Sequence, residues 1–382
     1  MSYLCCDEIL AQMRIAHLTS AHPRDDIRIF SKECRSLAAA GHELILVVAD
    51  GLGLEVSDGV RILDVGPARG RFDRMFRVTR RVYEKALELD ADLYHLHDPE
   101  LLTVVGALRR AGKRVVFDAH EDLPKQLLGK HYLGPVAKRL LSFIFAVYER
   151  FACRNLDGII TATPNIRDKF LGINRNTIDI NNFPMIGELE GSVGWDRKAD
   201  EVCYVGGIAA IRGIREVVSA MALTRPQIRL NLIGGFAEAD VEKEVRETLG
   251  WQQVNLLGVR DRAGVRDVLA RSRAGIVTFL PVPNHVDAQP NKMFEYMSAG
   301  VPVIASHFPL WKDIIEGSQC GVCVDPLQPE QIAAAIDYLV NHPDEARRMG
   351  ENGRRAVMER YNWAMEEEKL RTFYESLLGS AQ

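Results

Sequence analysis

The chain has 382 residues, more than one hydrophobic core usually covers, so its length implies two domains. Hydrophobic residues make up 47% and charged residues 26%, a globular composition, and a net charge of −4 lacks the strong basicity of a nucleic-acid binder. No apolar stretch approaches the roughly 20 residues of a membrane-spanning helix, and the N-terminus lacks a basic segment followed by an apolar one, which predicts a chain soluble on synthesis.

Residues 1–12 precede the first strand-like run and are set aside. From Arg14 the chain alternates short β-rich runs with helical patterns: RIAHLTS, the helix IFSKECRSLAAAG, HELILVVAD, VRILDV, then a basic helix from about Phe72 to Leu89. LYHLH, the helix PELLTVVGALRRAG, RVVFDAH, a long helix through LLSFIFAVYERFACR, and GIITAT complete the first half. Each strand is nearly continuous in apolar residues, as a parallel sheet covered on both faces requires, and the alternation predicts an α/β, doubly wound sheet. Gly41 and Gly112 fall between a helix and the next strand, where a left-handed cap suits glycine.

After Asn181-Asn182-Phe183-Pro184 the polar run GELEGSVGWDRKADE reads as an interdomain linker. A second series follows: EVCYVGG, a helix from about Ile214, IRLNLIGG, a charged helix, QVNLLG, a helix to Ser272, AGIVTFL, a helix at 291, VPVIAS and CGVCVD. The expected domains are therefore 13–184 and 185–361, with the amphipathic helix 362–382, striped by Trp363, Leu370, Phe373 and Leu377, packing back on the first. Ligands of open parallel sheets bind beyond the carboxyl ends of the strands, so the post-strand loops of both halves are expected to face a common cleft.

Those loops carry the chemistry. SAHPRDDIRIF offers His22, Arg24, Asp25, Asp26 and Arg28 for an acceptor. His97-Asp98-Pro99-Glu100 and His120-Glu121-Asp122 each follow a strand; both read either as substrate contacts or as helix caps, with Asp98 before Pro99 a good N-cap. Asp90-Ala-Asp92 precedes a strand, at the other end of the sheet, and reads as a solvated turn. In the second half Arg212-Gly213 precedes a helix, where a guanidinium can hold a diphosphate bidentately. Lys292 and Glu295, three apart, share one face of the first turn of the helix at 291, beside the amides and dipole end that favour anions. An exposed surface ion pair is the alternative for that pair. Of the seven cysteines, Cys5, Cys6, Cys34, Cys153 and Cys203 fall in buried or terminal positions without framework spacing, favouring a reducing cytosolic setting, and Cys320-Gly-Val-Cys323 reads as packing in a strand.

Together these segments resemble the retaining glycosyltransferases of the GT-B fold, family 4, also called group 1. YVGGIAAIRGI looks like the family's Gly-Arg-x4-Lys-Gly loop and DAQPNKMFEYMSAGVPVIAS like its Glu-x7-Glu segment; HDPEL, FDAHED and PNKMFEYM look closest to members that build bacterial lipopolysaccharide, O-antigen or exopolysaccharide. The resemblance implies two Rossmann-like domains, an acceptor side first and a nucleotide-sugar donor side second. It implies a catalytic set of His120, Arg212, Lys292 and Asp287, and a donor-binding set of Gly206, Gly207, Arg212, Gly213, Gly235, Asn291, Lys292 and Glu295. Arg24, Asp26, Arg28, His97 and Glu121 fall on the acceptor side. No metal or cofactor is required; the nucleotide diphosphate sugar is a co-substrate, and a glycan, lipid-linked in surface polysaccharide synthesis, is the acceptor. Three departures stand out: Gly207 replaces the family's arginine, Arg212 its lysine, and Asp287 its first glutamate. A nucleotide-sugar epimerase and an inert nucleotide-sugar-binding homologue are the alternatives; a dehydrogenase lacks its G-x-G-x-x-G. The arginine-rich segment 69–86, with Phe72, Met75 and Phe76, suits peripheral contact with the inner face of a membrane.

Overall fold

The structure, a computed structural model, describes residues 12–129, 134–191 and 193–379; Cys5, Cys6 and the rest of 1–11 lie outside the described residues. The chain divides into two compact units, Met1–Asn181 with Glu367–Gln382, and Asn182–Glu366.

In the first unit eight strands run β1 (Arg14–Leu18), β2 (Glu43–Val48), β3 (Glu55–Ser57), β4 (Val60–Asp64), β5 (Leu93–Leu96), β6 (Arg114–Ala119), β7 (Gly158–Thr161) and β8 (Thr177–Asp179). They lie in the order β3-β4-β2-β1-β5-β6-β7-β8, and every pair is parallel except β3 with β4. Ile15, Leu18, Leu44, Leu46, Leu93 and Leu96 are fully or almost fully buried because helices cover both faces. The basic helix forms as three joined stretches, Arg71–Asp73, a wide π-type turn Arg74–Val78, and Thr79–Leu89, and it buries Val78, Val82 and Ala86 at spacings of four. It stops at Asp90, which takes φ 47°. Gly41 and Gly112 have φ 95° and 75° after their helices.

In the second unit β9 (Glu201–Val205), β10 (Arg229–Ile233), β11 (Val254–Gly258), β12 (Ala274–Val277), β13 (Val303–Ser306) and β14 (Gly321–Val324) form an all-parallel sheet in the order β11-β10-β9-β12-β13-β14. Connections run outward in one direction from β9 to β11 and in the other from β12 to β14. The junction of β9 and β12 is therefore the switch point, where helices diverge and a crevice opens beyond the strand ends.

The segment read as a linker is instead packed onto the second unit. Leu189 is fully buried, a Cβ on Gly191 would lie 2.3 Å from Ala270 Cβ, and Lys198 Nζ donates to Ser272 O at 2.8 Å. The terminal helix Trp363–Gly379 changes unit along its length. Trp363 N donates to Pro184 O at 2.9 Å in the second unit, whereas Tyr374 Oη meets His95 Nδ1 at 2.7 Å in the first. Phe373 and Leu377 fill the space above Gly158, where any Cβ would collide with the Phe373 ring at 2.6 Å.

Candidate active site

At the switch point of the second unit, β9 ends in Gly206-Gly207. Gly206 has φ 104°, and its amide donates to Ile233 O at 2.9 Å, while Ile208 N donates to Gly235 O at 3.0 Å, so this loop is pinned to the end of β10. A short turn, Ala210–Arg212, then leads through Gly213 (φ 76°) into the helix Ile214–Met221. Gly213 is required on two counts: a side chain there would be strained, and its Cβ would sit 1.9 Å from Thr278 O. This tight passage fixes Arg212, whose Nη1 donates to Gly207 O at 3.1 Å and whose guanidinium lies 5.6 Å from the Phe279 ring centre.

From the β12 side, residues 278–290 lead to the helix Asn291–Ser298, which Pro290 precedes without any side-chain cap on its first amides. Tyr296 docks this helix: its hydroxyl accepts from Val205 N at 2.9 Å and its ring occupies the space left by Gly275. Lys292 is thereby driven inward. Only 7% exposed, its ammonium sits 3.7 Å over the Tyr204 ring and 5.4 Å from the Phe279 ring, so Arg212 and Lys292 share one aromatic wall. Among the described residues Lys292 Nζ has no hydrogen-bond partner. Burial, and then the charge of Arg212, hold its pKa well below the usual lysine range.

Glu295, one turn on, accepts from Arg262 Nη1 at 2.7 Å through Oε1, and Arg262 Nε donates to Glu188 at 2.6 Å. Thus Lys292 and Glu295 are not an exposed surface pair: the lysine is enclosed, and the glutamate pairs with a different cation. Asp287 is half-buried at the end of the turn 283–287. Sequence reading missed Arg262, Glu188, Tyr204, Phe279 and the buried Thr278. Arg262 carried a signal, since an arginine directly after the N-cap Asp261 opposes the helix dipole and needs a carboxylate nearby.

In the first unit the loops beyond β1, β5 and β6 converge. Asp118, on β6, anchors a buried network: Arg28 donates to it bidentately at 2.8 and 2.9 Å, and His120 Nε2 lies 3.0 Å from its Oδ2. His97 Nδ1 is 3.3 Å from His120 Nε2, and the His22 and His120 rings are 5.0 Å apart. His120 and His22 are half-buried, the outer members of this chain.

Several residues expected on the acceptor side are engaged within the unit. Arg28 is 4% exposed and also donates to Ile180 O at 2.7 Å; the carbonyl and Asp118 occupy its guanidinium because a buried cation needs paired acceptors. Arg24 clamps Asp50 at 2.8 Å and Glu55 at 2.7 Å. His97 is enclosed, and Asp26 caps its own helix by accepting from Arg28 N and Ile29 N. Glu121 is exposed and accepts from the Gln126 side chain. Asp98 makes no cap bond; it accepts from the Thr19 hydroxyl and from Ser20 N, both at 2.7 Å, tying the β1 loop to β5. Asp122 does cap the helix Leu123–Leu128.

Behind His97, His17 and His95 face one another across the β1–β5 pair, with Glu33 nearby. Candidate ligand atoms of these four residues lie within 4.8 Å of one another. His95 and His97 are stacked at 28° with ring centroids 4.4 Å apart. Burial holds all three imidazoles below their usual pKa, His97 at about 4, so they pack as neutral rings.

Two parallel-sheet α/β units in tandem, with cations gathered at the switch point of the second, have the GT-B fold of nucleotide-sugar-dependent glycosyltransferases. The chain is a group 1 glycosyltransferase of family 4. The family described as "Glycosyl transferases group 1" matches residues 186–356, and "Glycosyl transferase 4-like domain" matches residues 28–180. Glycogen synthase of Mycobacterium tuberculosis is 22% identical over 371 residues, covering 86% of this chain and 85% of that protein. An MMP alpha-(1->4)-mannosyltransferase of Mycolicibacterium hassiacum is 22% identical over 156 residues, and the match spans only 37% of its length. Among solved structures, sucrose-phosphate synthase from Thermosynechococcus elongatus superposes with TM-score 0.78 at 20% identity, covering 97% of this chain and all of that one. Anabaena Alr3699/HepE, solved with UDP and glucose, gives 0.73 at 17%, covering 96% and 100%. The structural likenesses show the GT-B fold, and the two family matches give the glycosyltransferase class without specifying an acceptor or pathway.

Proposed function

We propose that the protein is a metal-independent retaining glycosyltransferase whose second unit holds the diphosphate of a nucleotide sugar between Arg212 and Lys292. The observation that carries this reading is the Lys292 ammonium, enclosed and without a hydrogen-bond partner beside a second cation. A buried charge in that state is costly unless an anion completes it, and a diphosphate brings both the charge and the acceptor oxygens. The uncapped amides of the helix Asn291–Ser298 and the amide of Gly207 add donors on the same side, with Gly206, Gly213 and Gly235 permitting close backbone approach. Glu295, oriented by Arg262 through Oε1, has its second oxygen for the ribose diol. Arg212 and Lys292 supply the cations that the family's first arginine, here Gly207, would otherwise share.

In the reaction the bond between the anomeric carbon and the diphosphate oxygen breaks, and the two cations stabilise the charge developing on the leaving group. That oxygen takes the proton of the acceptor hydroxyl on the same face, and the new glycosidic bond forms there with retention. His120 meets the transferred sugar, and Asp287 one of its hydroxyls. Because Asp118 engages Nε2 of His120, Nδ1 is the ring nitrogen left for a sugar hydroxyl. The acceptor is a glycan hydroxyl, lipid-linked in bacterial surface polysaccharide assembly; the HDPEL, FDAHED and PNKMFEYM segments support that choice. The test is a panel of nucleotide sugars incubated with and without lipid-linked glycan acceptors, read by mass spectrometry and anomeric proton NMR. A product with the donor's anomeric configuration is expected, whereas donor isomerisation without acceptor would replace the reading with an epimerase.

A further inference from the structure

The helix Pro135–Cys153 presents an apolar stripe to solvent. Val136, Leu140, Phe143, Ile144, Val147 and Phe151 recur at helical spacing along one face, and each is more than half exposed. Its opposite face is the packed one: Ser142 Oγ donates to Pro124 O at 2.9 Å, Glu149 pairs with Lys169 at 2.6 Å, and Cys153 is buried. A face of six large apolar side chains exceeds the scattered hydrophobics of an ordinary surface and calls for a partner.

A second patch of the same character lies in the arginine-rich helix. Phe72, Met75 and Phe76 are exposed there, Phe72 at 82%. The two helices share a face of the sheet, because the crossovers β4 to β5 and β6 to β7 run in the same direction along the strand order and are right-handed. The helix Pro99–Val104 links them: Arg74 Nε pairs with Glu100 at 2.7 Å on one side, and Pro135–Cys153 packs against it on the other.

Charge identifies the occupant. The exposed charges of the second helix and its end, Arg139, Arg150 and Arg154, are all positive, and its one acid, Glu149, is buried in an ion pair. Along 69–80 the exposed charges are Arg69, Arg71, Arg77 and Arg80, of which Arg80 is paired with Glu84 at 2.8 Å; Asp73 is screened by Arg69 N at 2.8 Å and Arg77 at 3.6 Å. A second copy docking through this face by two-fold symmetry would set arginines against arginines. We propose that this face docks on an anionic phospholipid surface, the aromatic and aliphatic side chains entering the headgroup boundary and the arginines meeting lipid phosphates. This inference stands on the surface alone and is independent of the sugar-transfer reading.

The test is flotation of the full chain with vesicles of phosphatidylcholine containing about 30% phosphatidylglycerol, against phosphatidylcholine alone, at low and high salt. Binding to the anionic vesicles is expected, weakened at least about tenfold by high salt or by omission of the anionic lipid. R71E/R77E should weaken it about fivefold or more per arginine, and F143S/V147S/F151S should abolish it with the thermal unfolding curve retained. In a separate F143W chain, tryptophan emission should shift to the blue on vesicle addition. Absence of flotation at low salt, or retention of full binding by the triple-serine variant, would overturn the proposal. So would sedimentation equilibrium showing a dimer that the triple-serine variant dissociates while vesicle binding is absent.

Discussion

An ammonium group held away from water and from every acceptor destabilises the chain that contains it, so Lys292 separates stability from function at a single position. Lys292→Met should raise the stability of the free protein by about 1–3 kcal/mol while weakening donor binding and turnover by at least about 100-fold. Thermal melts with and without nucleotide check both signs, and a destabilised yet active variant would contradict the assignment. Arg212→Ala should fold normally and lose about 10²–10³ in kcat, since a cation at the leaving group acts mainly in the transition state. Both residues were legible in the sequence because charges at helix starts need a reason. Glu295 was legible only in part: its spacing from Lys292 was visible, but its partner Arg262 lies 33 positions away and depends on how the sheet folds.

At the level of elements, continuous apolar runs exposed every long strand. The strands that escaped were β3 and β8, three residues each: Glu55 and Val56 of β3 are exposed at an antiparallel edge, so no hydrophobic pattern marks them. The polar run after Pro184 misled for a related reason, since Leu189 and Gly191 dock a stretch whose composition looks like a linker. Gly213→Ala tests the turn that aims Arg212; with φ 76° and Thr278 O in the way, it should cost more than about 2 kcal/mol in urea unfolding. Strands β1 and β5 make the first unit acid-sensitive. His17, His95 and His97 stay neutral when folded, His97 down to about 4, whereas the unfolded chain binds protons below about 6.5. Their stabilisation is complete above that value and is lost as pH falls from about 6.5 to 4, by about 3 kcal/mol for His97 alone. Glu33, pushed up by burial, works in the opposite sense and offsets part of the loss. The urea midpoint should therefore drop through this window, and a flat profile would show the imidazoles titrating normally.

For the whole molecule, length and the repeated strand-helix alternation revealed two sheets, while the apolar stripe of the terminal helix marked it as packed without showing that its start belongs with the second unit and the rest with the first. What the sequence left open was which side chains are consumed by the fold: Arg24 and Arg28 look like ligand-binding cations until Asp50, Glu55 and Asp118 are seen to hold them. The reverse holds for Lys292, for which a solvated surface pair stayed open until it is found enclosed. The account rests on that enclosed lysine meeting a diphosphate. Calorimetric titration of the full chain and of Lys292→Met with UDP, GDP and ADP, each beside its parent nucleoside, measures this directly. The cognate diphosphate should bind the native chain at least about 100-fold more tightly than its nucleoside, with that advantage largely erased in Lys292→Met. Equal affinity of the two chains for the cognate diphosphate would contradict the account.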